Sequence, residues 1–201
     1  MSQRLIIIGG GAAGYFAAIR AAELASRNVD VIILESSSST LKKVRISGGG
    51  RCNVTHNCFD VREFCQNYPR GSKELISPMQ VFQAKDTVEW FKKRGIRLVA
   101  EEDGRMFPES NRSETIINCF NDEVERLKIS LLTNHSVAEV KAQSGGGFLI
   151  DLKNKETIAG DKVLIATGSS PAGYKLATHL GHAITERAPS LFSFKISSSL
   201  I

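Results

Sequence analysis

Residues 5–14 read Leu-Ile-Ile-Ile-Gly-Gly-Gly-Ala-Ala-Gly, an apolar run that breaks on glycine and resumes at once in alanine. Residues 5–8 predict a buried strand entering a tight turn, and residues 12–27 predict a helix lying close to its neighbours. Residues 29–34 predict a second strand, ending at Glu35. Strand, glycine turn, helix and parallel strand in about 30 residues make a βαβ unit. Within it, Gly9-x-Gly11-x-x-Gly14 gives each glycine a role. Gly9 permits the turn, Gly11 admits a pyrophosphate against the backbone, and Gly14 lets helix and strand touch. The helix start at Ala12 and Ala13 supplies free N–H groups and partial positive charge for phosphate. Glu35 lies 21 residues beyond Gly14, where a carboxylate accepts the hydroxyls of an adenosine ribose and repels a 2′-phosphate. The unit predicts a dinucleotide with an unphosphorylated adenosine ribose, FAD or NAD.

The rest of the chain continues the pattern. Residues 36–40 are a serine-rich loop, and 47–68 show little periodicity, a long irregular stretch of the kind that is either functional or disordered. Ser77 reads as an N-cap with Pro78 at the first helical position, and Gly95 closes that helix. Residues 96–99 and the Gly104 turn predict a hairpin ending at Phe107-Pro108. Ile116, Ile117, Phe120, Val124 and Leu127 share one helical face, and 129–132 predict a third buried strand. Segments 137–140, 148–152 and 156–158 predict an antiparallel meander, which leads into a buried strand over 162–168. A short helix over 174–180 stops at Gly181, and 191–196 alternate like another strand. The expected fold class is α/β: a Rossmann-like dinucleotide-binding domain over residues 1–190, with a parallel sheet and an antiparallel β-meander. Residues 191–201 read as the start of an inserted second domain, cut short.

Composition removes several function classes. The 201 residues are 42% hydrophobic and 23% charged, which excludes disorder as the main state. The net charge of +5 is spread over blocks no longer than Lys42-Lys43 or Lys92-Lys93-Arg94. That favours anionic ligands in general but is too diffuse to name nucleic acid, and a small-molecule substrate is the expected partner. No apolar run approaches the ~20 residues of a membrane span, and Met1-Ser2-Gln3-Arg4 leads into the first strand without a secretory segment. Four cysteines without CxxC spacing point to a reducing, cytoplasmic location.

The order GxGxxG, acidic strand end, meander and Ala166-Thr167-Gly168 resembles the flavoproteins of the glutathione-reductase type, in which the strand after the meander ends in Ala-Thr-Gly against the flavin. A narrower resemblance lies in Lys43-x-x-x-Ser47-Gly48-Gly49-Gly50-Arg51-Cys52-Asn53-Val54-Thr55. It is similar to the SGGGRCN signature of the aminoacetone-oxidase-like FAD-binding flavoproteins, a family that includes a proposed bile-acid-reducing enzyme. Gly104-Arg105-Met106-Phe107-Pro108-x-Ser110, Leu180-Gly181-His182 and Pro189-Ser190-Leu191 extend the likeness over almost the whole chain. The resemblance implies FAD, with Gly49, Gly50, Arg51, Cys52 and Asn53 lining the flavin and Lys43 and Ser47 nearby. Val137, Ala166, Thr167 and Gly168 join the implied cofactor contacts. Successive glycine N–H groups form an anion-receptive concavity, and Arg51 adds charge. The implied activity is that of an FAD-dependent oxidoreductase exchanging a hydride with a small organic substrate: an amine, alcohol or activated alkene. Reoxidation would be by oxygen, or the cycle would run with NAD(P)H as a transient donor.

Two departures accompany the likeness. Residues 168–174 are a compressed form of a longer Tyr-Pro-containing segment, and family members continue into an inserted domain before a returning glycine-rich segment. The chain thus resembles the N-terminal half, which implies an adenosine half-site, a water-exposed flavin half-site and self-association through uncovered apolar surface. Cys52 and Cys58 have five intervening residues where the redox pair of disulfide reductases has four, so free thiols are expected. Cys52, His56, Cys58 and Cys65 match no zinc spacing, and no metal is expected. His135, His179 and His182 read as surface or turn residues. Two alternatives stay open: an NAD-dependent dehydrogenase domain, which shares GxGxxG and Glu35, and a tRNA-associated or non-catalytic flavin-binding module.

Overall fold

The computed structural model describes residues 3–25 and 28–187. Strands β1 (Gln3–Ile8) and β2 (Val29–Leu34) run parallel with Ile8 opposite Leu34. Strand β10 (Lys162–Ile165) pairs on the free side of β1 and β6 (Ser130–Leu132) on the free side of β2, in the order β10-β1-β2-β6. Burial on both faces explains the isoleucine run of β1. Ile7 enters a core with Tyr15, Ile19, Ile33, Trp90 and Phe120. Ile6 and Ile8 enter a second core with Val140, Ile150, Leu152 and Leu176. The first core is helical, from α1 (Ala12–Leu24), α5 (Ala84–Lys92) and α6 (Ser113–Arg126). The second is the antiparallel meander β7 (Val137–Ala142), β8 (Phe148–Leu152) and β9 (Thr157–Gly160), with α7 (Pro171–His179) beside it. The parallel sheet is therefore sandwiched, as expected for the α/β class.

One ion cluster fastens the helical layer. Arg94, just past α5, pairs with Glu23 of α1 and, at 3.1 Å, with Glu123 of α6. Its guanidinium lies 3.7 Å over the Trp90 ring. Burial beside this cluster pushes the Cys119 thiol up to about 11.

Strands β4 (Leu98–Ala100) and β5 (Arg105–Pro108) form the expected hairpin, and β3 (Thr55–His56) adds an unexpected third strand beside β5. The single helix expected from Pro78 to Gly95 is instead two, α4 (Ser72–Val81) and α5, with Phe82 and Gln83 extended between them. Gln83 and Asp86 make a capping box, and that pair marks the true start of the apolar-periodic helix. Pro78 sits inside α4, a short helix with no buried residue. The stretch expected to be irregular is so at its start, where α2 (Lys42–Gly50) breaks its right-handed course at Ser47, Gly48 and Gly49, but it also holds all of α3 (Val61–Gln66). Asp60 caps α3 by accepting the Glu63 N–H at 2.8 Å. Strands β6 and β10, expected to be buried, are the edges of the sheet; Ser130 is exposed and Leu164 is 38% exposed. Described helix α1 ends at Leu24, while Arg27, the Pro189-Ser190-Leu191 block, the strand over 191–196 and the 190/191 boundary lie outside the described residues. Among the described residues no helix is long and apolar enough to cross a membrane.

Candidate functional site

Parallel pairing brings four strand ends level. Ile8 lies opposite Leu34 and Ile165, and Leu34 lies opposite Leu132. The segments leaving these ends enclose a cavity of about 390 Å³, a size typical of ligand sites. Residues 9–13 reach it from β1, 35–37 from β2, 135–137 from β6 and 166–168 from β10, and Lys42, Lys43 and Val44 of α2 complete the wall. Open α/β sheets bind ligands at this edge, outside the carboxyl ends of the strands.

The three motif glycines do different things here. Gly9 has φ +119°, and a Cβ on it would stand 2.5 Å from the Ala166 carbonyl oxygen. The glycine turn and the Ala166-Thr167-Gly168 turn therefore touch. A Cβ on Gly14 would collide with the Gly9 carbonyl, which is the close helix–strand approach expected from its place in the motif. A Cβ on Gly11 would meet nothing within 4 Å, and Gly11 lines the cavity. Gly11 is also the N-cap of α1, with no side chain bonded across the helix end and no acidic residue in the first turn. The N–H groups of that turn, at Ala12 and Ala13, stay available to an anion.

Glu35 is held by four donors. The Gly10 N–H donates to Oε2 at 2.9 Å. Oε1 accepts the Ser37 N–H at 2.8 Å, the Ser37 hydroxyl at 2.7 Å and the Ser36 hydroxyl at 3.2 Å. Burial alone would raise the carboxyl pKa, but the bonds from Ser37, Gly10 and Ser36 outweigh it and hold the group below its ordinary 4.5. The loop after β6 fixes this corner: His135 N–H donates to the Glu35 carbonyl at 2.8 Å and Asn134 N–H to the Ser37 carbonyl at 3.0 Å. Across the cavity, Lys43 Nζ donates to Ser169 Oγ at 2.8 Å, tying α2 to the loop after β10. Lys43 makes no ion pair among the described residues, so its charge is free to meet an anion.

The structure thus gathers Gly9, Gly11, Ala12, Ala13, Glu35, Lys43, Val137, Ala166, Thr167 and Gly168 around one space, with Gly14 packed behind it. Ser47, Gly49, Gly50, Arg51, Cys52 and Asn53 do not line that space. Gly48, Gly49 and Gly50 take φ values of +56°, +69° and +87°, and the space beyond Gly49 is open. Arg51 is engaged locally: it pairs with Glu101, lies 4.0 Å over the Phe107 ring and donates to the Gly48 carbonyl at 3.2 Å. Cys52 is buried and burial pushes its thiol up, with a partial offset from Ser47; all four cysteines are free thiols. His135, expected at the surface, lines the cavity beside Ser136. Ser36, Ser37 and Lys42 also line the cavity without having been singled out, although serines following an acidic strand end were a readable signal.

Residues 3–189 match the family described as HI0933-like protein Rossmann domain. A 3-dehydro-bile acid Δ(4,6)-reductase of Clostridium scindens is 30% identical over 96% of the chain and 48% of its own length. A ribosomal RNA dihydrouridine synthase of Escherichia coli is 29% identical over 98% of the chain and 49% of its own length. The chain thus spans about half the length of these curated relatives. Among solved structures, THI4 of Thermovibrio ammonificans shares the fold with a TM-score of 0.60 at 13% identity, over 90% of this chain and 62% of that one.

Proposed function

The chain belongs to the HI0933-like family, whose Rossmann domain it carries, and from that premise we propose that it binds FAD and serves an oxidoreductase reducing a double bond conjugated to a carbonyl. One observation carries the cofactor reading. Open space over Gly11, the uncapped start of α1, an ionised Glu35 and the Ala166-Thr167-Gly168 turn all face one cavity. These residues fit the adenosine and pyrophosphate portion of FAD. When bound, FAD supplies the hydride chemistry, and the protein supplies position and electrostatics.

The chain's own residues then divide the work. The first-turn N–H groups of α1 donate to the pyrophosphate, which Gly11 lets approach. Glu35 accepts the ribose hydroxyls and, being ionised, repels a 2′-phosphate. Lys43 exchanges the Ser169 hydroxyl for a phosphate oxygen, a charge-assisted bond in place of a neutral one. The left-handed turn over Gly48, Gly49 and Gly50 would offer its backbone N–H groups to the flavin portion.

The substrate class is supported by what two relatives are named for, the reduction of a Δ(4,6) system and the formation of dihydrouridine. A dienone and a uracil ring alike carry a double bond conjugated to a carbonyl, so hydride would add at the β carbon, or at the δ carbon for a dienone's outer bond, and a proton at the neighbouring carbon. A small molecule is the first reading, with NAD(P)H as the visiting donor. A base in RNA is the second, favoured by the name of the E. coli relative and allowed by the +5 charge. A visible absorption spectrum of the purified protein tests the cofactor, with identification of what denaturation releases. Released FAD supports the reading; a colourless protein that binds NAD and refuses FAD contradicts it.

A further inference from the structure

A carboxylate offers about four acceptor positions, two on each oxygen; Glu35 Oε1 already takes three donors of this chain's own, while Oε2 takes only the Gly10 N–H and keeps one position open. Two of the donors, the N–H groups of Gly10 and Ser37, are backbone and cannot turn away. The other two, the hydroxyls of Ser36 and Ser37, rotate freely about one bond. A ribose presenting one hydroxyl to each carboxylate oxygen therefore finds room on Oε2 but none on Oε1, where it must displace a serine hydroxyl. The displaced groups have somewhere to go. Ser37 Oγ lies 2.8 Å from the Ser39 carbonyl, a second acceptor within reach of the same proton, and Ser36 is exposed to water.

We infer that the Ser36 and Ser37 hydroxyls hold Glu35 Oε1 at the position that one ribose hydroxyl takes, so that nucleotide binding exchanges a serine hydroxyl for a ribose hydroxyl there and Ser37 limits its affinity. This rests on the reading of Glu35 as the ribose acceptor. The exchange keeps the carboxylate ionised and aimed while the cavity is without ligand, because the backbone donors alone do not satisfy it. It also opposes binding: the Ser37 hydroxyl trades a bond to a charged acceptor for one to a neutral carbonyl, and charge-assisted bonds are roughly twice as strong. A serine that merely positioned Glu35 would have the opposite effect on affinity, so the two roles differ in sign.

The test is calorimetric titration of ADP and of 2′-deoxy-ADP into the wild-type chain, Ser37→Ala and Glu35→Ala. Ser37→Ala is expected to tighten ADP binding about threefold to tenfold, the fold-change equivalent of the lost difference between a charged and a neutral acceptor. The gain should shrink for 2′-deoxy-ADP, whose one remaining hydroxyl can take the open position on Oε2 without displacing a serine. ADP affinity unchanged or weakened in Ser37→Ala, while Glu35→Ala still loses binding, overturns the exchange and leaves the adenosine site standing. If instead wild type and Glu35→Ala bind ADP equally, the reading of Glu35 itself fails. Far-UV circular dichroism of each variant identifies any change that comes from the fold.

Discussion

Gly11 and Gly14 lie three residues apart in one motif, and the structure predicts opposite consequences for a side chain at each. A Cβ at Gly14 meets the Gly9 carbonyl, a backbone atom that only a shift of α1 away from β1 can relieve. Such overpacking costs about 1–3 kcal/mol, and for a chain of this size each kcal/mol lowers the melting temperature by roughly 2–4 °C. A Cβ at Gly11 meets nothing within 4 Å, and φ there is an ordinary −92°. Gly11→Val should then cost the fold about 1 kcal/mol or less, the loss of a good N-cap residue. Its side chain would fill the approach of a pyrophosphate to the α1 N–H groups. Losing two charge-assisted bonds of about 1.5–3 kcal/mol each weakens FAD at least about 100-fold. Thermal melts and fluorescence titration of Gly11→Val and Gly14→Ala read both quantities. The reasoning fails if Gly11→Val keeps wild-type affinity for FAD, or if Gly14→Ala melts with the wild type.

Other consequences can be checked in the same preparations. Glu35→Ala should weaken FAD by about 10- to 150-fold, the value of about 1.5–3 kcal/mol in lost charge-assisted bonds, and Glu35→Gln by less. Because the Glu35 carboxyl is held below its ordinary 4.5, its contribution to binding is complete above that value and lost as pH falls through the lowered one; affinity already declining at about pH 6 would count against the assignment. Arg94→Met takes the most buried cation from half-buried Glu23 and Glu123, which keep Arg20 and Arg126, and should destabilise the chain by about 1–2 kcal/mol in denaturant melts, whereas a change below about 0.5 kcal/mol would show that Arg94 holds nothing. A native thiol assay should find Cys58 and miss buried Cys52, Cys65 and Cys119, while denaturation without reductant returns all four; a shortfall after denaturation would reveal a disulfide.

The βαβ unit could be read from the sequence because its signals are local. An isoleucine run, three spaced glycines and one acidic strand end each act within a few residues, and Gly9, Gly11, Gly14 and Glu35 took the places that the motif assigns. Lys43 and Ala166-Thr167-Gly168 came from resemblance, and the geometry explains them: β10 pairs beside β1, so the turn after it must meet Gly9. His135, read as a surface or turn residue, and Ser136 were not placed at the site because only the level pairing of β6 with β2 carries their loop to Glu35, and no local pattern records that pairing. The Pro78 helix start was misread for a related reason. Proline at a first turn is a strong local cue, but the Gln83–Asp86 capping box next to the buried face of Trp90 and Phe91 decides where the packed helix begins. Edge strands β6 and β10 looked buried because apolar content does not tell a central strand from an edge.

The central claim is that this cavity is the adenosine–pyrophosphate half of an FAD site. Fluorescence titration of the chain with FAD and with FMN, each repeated with ADP as competitor, tests it most directly. FMN carries the flavin but neither the adenosine nor the second phosphate that Glu35 and the α1 N-terminus are placed to hold. The account predicts that FAD binds more tightly than FMN, that ADP displaces FAD, and that Glu35→Ala narrows the difference. Equal affinity for the two flavins, with FAD indifferent to ADP, would contradict it.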